Sequence, residues 1–134
     1  MPSSSREFQR AARQRLTTAE FLFENDYTLD ATYLAGYTVE CSLKALILRL
    51  TPAKKQPEML KKISSGKLMH DPEILNGILK NLKNPIPLAL IKGLRKAGWS
   101  TDLRYEFGRR DRERTQGFLK TAKEVYDWVQ GQLP

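Results

Sequence analysis

Tyr33-Leu-Ala-Gly-Tyr-Thr-Val-Glu-Cys-Ser-Leu-Lys-Ala-Leu-Ile-Leu-Arg49 is the stretch on which the fold turns. It has no proline, and its pattern predicts a helix. At about 100° per residue, Ala31, Ala35, Thr38, Ser42 and Ala45 fall on one face. These small side chains let a neighbouring helix approach closely. Leu34, Cys41 and Leu46 flank that face, and Leu43, Ile47 and Leu48 fill the gaps. The opposite face carries Tyr33, Tyr37, Glu40 and Lys44. Glu40 and Lys44 stand i, i+4 with the acid first, the favoured order. A helix apolar nearly all round is central in its fold. Its charges then need partners, because unpaired buried charge is costly.

Outward from that helix, Phe8, Ala12, Leu16, Ala19 and Phe23 recur at helical spacing, so a first helix of about five turns is expected. Residues 1–5 read as a frayed start, with Ser3 to Ser5 offering an N-cap. Asn25-Asp26 ends the helix, and the short link that follows makes the first two helices antiparallel neighbours. After Leu50, Thr51-Pro52 stops the central helix. Residues 51–70 then read as a long basic loop, with Lys54, Lys55, Lys61, Lys62 and Lys67 against Glu58 alone. Met59, Leu60 and Ile63 could form one helical turn within it. His70-Asp71-Pro72-Glu73 marks another helix start, with Asp71 as N-cap and Pro72 in the first turn. Asn84-Pro85-Ile86-Pro87 breaks that helix, and a short one follows to Gly98. Trp99 to Tyr105 is a connector, and a last long helix runs from about Arg109 to Leu133. No stretch alternates with period two. The expected fold is all-α, an antiparallel up-and-down bundle of three long and two short helices over a single domain, 1–134.

Composition narrows the functions. The 134 residues are 40% hydrophobic and 28% charged, which fits a soluble domain with a modest core. The lone Cys41 excludes an internal disulfide and suits a reducing cytoplasm. No apolar run is long enough to span a membrane, and the first residues lack a signal-peptide core. A formal charge of +8 fits an acidic partner. No phosphate-binding glycine loop, zinc-protease motif or serine-nucleophile elbow occurs, so no cofactor and no metal are expected. The single histidine, His70, precedes an N-cap and reads as a capping or packing residue, since nothing near it in sequence orients it. The lysines at 54, 55, 61 and 62 are the expected phosphate-attracting surface. Arg104 is the expected partner of Glu40, because guanidinium meets carboxylate in a bidentate fork.

Tyr33-Leu-Ala-x-Tyr-x-Val-Glu-x-x-Leu-Lys-Ala-Leu46 resembles the second helix of HEPN (higher eukaryotes and prokaryotes nucleotide-binding) domains. His70 near a helix start, then Trp99, Arg104-Tyr105 and a terminal helix with Tyr126-Asp-Trp128, follow in the same order. The resemblance covers roughly residues 6 to 130 and implies a helical bundle, commonly a homodimer. It also implies RNA or nucleotide binding, and for some members a nucleotidyltransferase partner in toxin–antitoxin systems. Nuclease members carry Arg-x(4–6)-His near the start of the terminal helix. Counting from Arg104, Arg109 and Arg110, no eligible position is histidine. That removes the general acid–base group of the family's cleavage, so no catalytic residue is expected. The residues that carry over are Glu40, Lys44, Arg104 and Tyr105, with Tyr37 beside them, as a ligand-binding cluster. The resulting expectation is a non-catalytic, dimeric module for a nucleotide, RNA or protein partner. The alternatives are a divergent metal-independent RNase with its site in a dimer cleft, drawing on Arg104, Tyr105 and His70, and a protein-binding subunit of a nucleotidyltransferase. The Tyr33/Tyr37 face, or the terminal helix with Trp128, is expected to meet the second copy.

Overall fold

A computed structural model describes residues 2–133, and among those residues it shows six α-helices and no strand. They are α1 (Ser5–Glu24), α2 (Thr28–Leu50), α3 (Gln56–Ile63), α4 (Pro72–Asn81), α5 (Leu88–Ala97) and α6 (Arg112–Gln132). The fold is an all-α bundle. Met1 lies outside the described residues, but the rest of the start is not frayed. Ser4 accepts a hydrogen bond from the Glu7 N–H, and the Ser3 N–H and hydroxyl both donate to the Glu7 carboxylate, at 2.6 and 2.9 Å. This reciprocal cap satisfies N–H groups that the helix leaves open. The same bonds from Ser3 hold the Glu7 carboxyl below its usual range.

The small-residue face of α2 meets α1. Ala31, Ala35, Thr38 and Ala45 are fully buried, and so are Ala12 and Ala19 on the facing helix. With no long side chain between them the backbones approach closely, and the Ser5 hydroxyl donates to the Ala45 carbonyl at 2.7 Å. That bond joins the start of α1 to the far part of α2, so the pair is antiparallel. The start of α2 is tied instead to the start of α6. The Thr28 hydroxyl exchanges hydrogen bonds with the backbone of Arg110, and Thr32 donates to the Thr115 hydroxyl. The two helices therefore begin at the same end, and α3 to α5 carry the chain back between them.

The segment 51–70 departs from the loop expectation. Residues 53–55 form a 3-10 turn, α3 follows, and Lys67–His70 form a second 3-10 turn. Two contacts explain this. Ile63 is fully buried, with Met59 and Leu60 packed beside it against the core. The Gln56 amide also donates to the Leu48 and Thr51 carbonyls, satisfying acceptors at the end of α2. A segment this short is a marginal helix alone and depends on such packing. The terminal helix begins at Arg112 rather than Arg109, because the Asp111 carboxylate caps it through the Arg114 N–H. Among the described residues, no helix is long and apolar enough to cross a membrane.

Candidate functional site

Glu40 and Lys44 lie one turn apart on α2, and both are buried. The Lys44 ammonium donates to Glu40 Oε2 at 2.9 Å. The other carboxylate oxygen, Oε1, lies 2.7 Å from Nδ1 of His70. Both oxygens are thus occupied, which is what a buried carboxylate requires. His70 reaches this position because the 3-10 turn Lys67–His70 runs straight into the capped start of α4, where Asp71 accepts from the Glu73 N–H. The imidazole is 38% exposed, so one edge of the ring faces out while the other is held by Glu40.

Arg104 is not the partner of Glu40. Residues 101–105 wind into a 3-10 turn whose Leu103 is buried. That burial turns Arg104 and Tyr105 outward, and the guanidinium sits over the Tyr105 ring, 4.8 Å from its centroid. The slot expected for Arg104 is filled by His70.

Beside this Glu40–His70 dyad lies an aromatic shelf. Tyr33 and Tyr37 meet edge to face at 5.1 Å, with their hydroxyls 3.3 Å apart. Tyr37 also meets Trp99 edge to face at 5.2 Å and the His70 ring at 6.4 Å. Trp99 stacks on Tyr33, and its indole N–H donates to the Tyr33 carbonyl at 3.0 Å. This close approach to the helix depends on Gly36. A Cβ there would stand 1.9 Å from Trp99 Cε2, so only glycine leaves room for the indole. The aromatics expected to face a second copy are therefore engaged within the chain, although all four rings of the shelf and dyad keep part of their surface exposed.

Electrostatics follow the packing. Burial, then the hydrogen bond with Tyr33, raises the Tyr37 phenol far above its ordinary value, and Arg104 opposes the shift from close by. Tyr37 thus stays a neutral hydroxyl. Burial, with Glu40 adding to it, also pushes the Cys41 thiol up to about 11, so it is a protonated core residue rather than a nucleophile.

The lysines at 54, 55, 61 and 62 are all exposed, on the 3-10 turn before α3 and on the last turn of α3. Among the described residues, no hydrogen bond or ion pair joins them to the dyad. A separate cavity of about 460 Å³ lies between α5 and α6, where Lys96, Arg110 and Arg114 are offset by Asp111 and Glu113.

Sequence reasoning paired Glu40 with Lys44 and named His70 as functional only for the alternative RNase site, but it did not join His70 to Glu40 or place Trp99 and Gly36 in this site. His70 is 30 residues from Glu40, Trp99 is 66 residues from Tyr33, and neither distance leaves a local pattern. Gly36 did leave one. A glycine inside a long helix costs about 1 kcal/mol relative to alanine, so its presence between two tyrosines signals a close approach.

No curated protein and no solved structure matches this chain. The HEPN domain model matches residues 5–132, which span every helix and the whole cluster around Glu40, and the chain therefore belongs to the HEPN domain family.

Proposed function

We propose that this HEPN domain is a non-catalytic module that binds a nucleotide or RNA on the Tyr33–Tyr37–Trp99 shelf. The observation that carries this reading is the company the shelf keeps. Half-buried aromatic rings offer stacking faces to a base. Arg104 is an exposed cation whose charge is felt at Tyr37 and is available to meet a phosphate, while His70 meets the Tyr37 ring and is fixed by Glu40 and Lys44. The chain has no Arg-x(4–6)-His, so the family's cleavage chemistry has no acid–base residue at its usual place. The exposed lysines of α3 add long-range attraction for phosphates without reading bases. A homodimer, a nucleotidyltransferase partner of toxin–antitoxin type and a cytoplasmic setting are the circumstances in which such a module works.

Binding of a labelled single-stranded oligonucleotide, followed by anisotropy across salt, tests the proposal. Tyr37→Ala should weaken binding at every salt concentration, because it removes part of the stacking surface. Neutralising Lys54, Lys55, Lys61 and Lys62 together should instead flatten the salt slope. No binding even at low salt would refute the proposal. The 2.7 Å contact between Glu40 and His70 favours a second reading, a divergent metal-independent RNase, since an oriented imidazole is a usable base. RNA cleavage that survives a chelator and disappears in His70→Asn would establish it.

A further inference from the structure

Phe107 stands almost wholly in water, 96% exposed, although burying a ring of that size is favourable. Its loop is not loose. On one side Leu103 is buried, and its carbonyl accepts from the Glu106 N–H at 3.1 Å. On the other, the Thr28 hydroxyl exchanges hydrogen bonds with the Arg110 backbone, and Arg109 meets Asp26. Both ends are pinned, and the ring is displayed between them. The same chain holds a cavity of ring size. It measures about 140 Å³, and Val39, Leu94, Trp99 and Phe118 form its apolar wall. An apolar cavity of about 150 Å³ is large enough to bind benzene. At its edge stand Asp71, Glu73 and Arg95, all exposed.

We propose that Phe107 of one copy fills this cavity in a second copy, and that the exchange is mutual. The inference rests on the homodimer of the reading above and is independent of its ligand. Three observations select a second copy as the occupant. The cavity fits one ring, and the chain displays one ring on a fixed loop. The charges also match, since Arg104 and Arg109 flank Phe107 while Asp71 and Glu73 edge the cavity. Of these, Arg104 and Asp71 make no ion pair among the described residues, so each is open to the other across the contact. Finally, the loop is tied to α2 at Thr28 and the cavity reaches α2 at Gly36, about 12 Å further along the helix. A two-fold axis between ring and cavity lets both rings insert and closes the contact at two copies. The inserted ring packs against Trp99, which also stacks on Tyr33. Each copy thus braces the aromatic shelf of the other.

Sedimentation equilibrium of the full chain at micromolar concentrations tests the exchange. The wild type should dimerise. Phe107→Ala should raise the dissociation constant about a hundredfold, about tenfold for each ring withdrawn from an apolar cavity. The ring is almost fully exposed in its own chain, so the variant should keep the helical circular dichroism of the wild type. A short bismaleimide linker then locates the ring. In a Cys41→Ser background, Phe107→Cys protein mixed with Arg95→Cys protein should give a cross-linked pair in greater yield than either protein alone. A wild type that stays monomeric overturns both the inference and the homodimer, leaves the cavity to a ring from another molecule, and does not touch the oligonucleotide-binding reading. A dimer equally tight in Phe107→Ala overturns the inference alone. So does a Phe107-dependent dimer that gives no mixed cross-link.

Discussion

Glu40 and Asp26 are both carboxylates flanked by two basic groups, and they do opposite jobs. Glu40 meets Lys44 at 2.9 Å and His70 at 2.7 Å, with its side chain 8% exposed. Asp26 meets Arg109 at 2.9 Å and Arg112 at 3.3 Å, with its side chain 51% exposed. Water can replace either arginine around Asp26, so each exposed pair is worth about 0–1 kcal/mol. Water cannot reach the Glu40 pair as freely, and removing one member strands the other. The charge pattern is the same in both places, and burial decides whether it is structure or decoration.

The largest effect should come from breaking the inner set. Glu40→Ala leaves Lys44 buried without a counter-charge and should cost about 3–5 kcal/mol in denaturant unfolding. The double change Glu40→Leu with Lys44→Met should recover most of that loss, because it removes the second charge too. A Glu40→Ala protein as stable as the wild type would put the carboxylate in solvent and erase the contrast with Asp26.

Next comes the glycine that seats Trp99. Gly36→Ala drives the indole off the helix and costs about 1–3 kcal/mol of overpacking, less the roughly 1 kcal/mol that alanine gains over glycine in a helix. The readout is a red-shifted tryptophan emission as Trp99 enters water. Unchanged emission would mean that Trp99 does not rest on Gly36.

A third test uses alkali. Tyr37 and Cys41 both release protons less readily in the folded chain than in the unfolded one. For a raised value the stabilising contribution is complete below the unfolded pKa and is lost as pH rises towards the folded one. Thermal stability should therefore decline from about pH 9, the ordinary thiol range, and Cys41→Ser should blunt the early part of that decline. A flat profile to about pH 11 would show that α2 is more hydrated than its packing implies.

The smallest effects belong to the outer set. Arg109→Ala should change stability by less than about 1 kcal/mol and vanish into the background at high salt. Arg112→Ala should cost somewhat more and retain part of its effect in salt. Its guanidinium also lies 4.1 Å from the centroid of the Phe23 ring and donates to the Phe23 carbonyl. Equal and salt-independent losses in the two variants would make the Asp26 cluster as structural as the Glu40 one.

The sequence by itself determined that the chain is helical, that α2 is central with a small-residue face open to a neighbouring helix, that the first two helices are neighbours, and that Glu40 pairs with Lys44. Those features repeat within a few turns, so the 3.6-residue period makes them legible. The N-cap at Asp71 was equally local. Only the tertiary structure decided which side chain completes Glu40. Arg104 and His70 were both available, and burial of Leu103 turned one outward while the capped start of α4 presented the other. It also decided that residues 56–63 form a helix, since the lysines that dominate their composition hide the apolar turn that Ile63 anchors. A local pattern records what a residue can do with its near neighbours. Which distant partner it meets depends on the packing of the bundle, and no stretch of sequence holds that information alone.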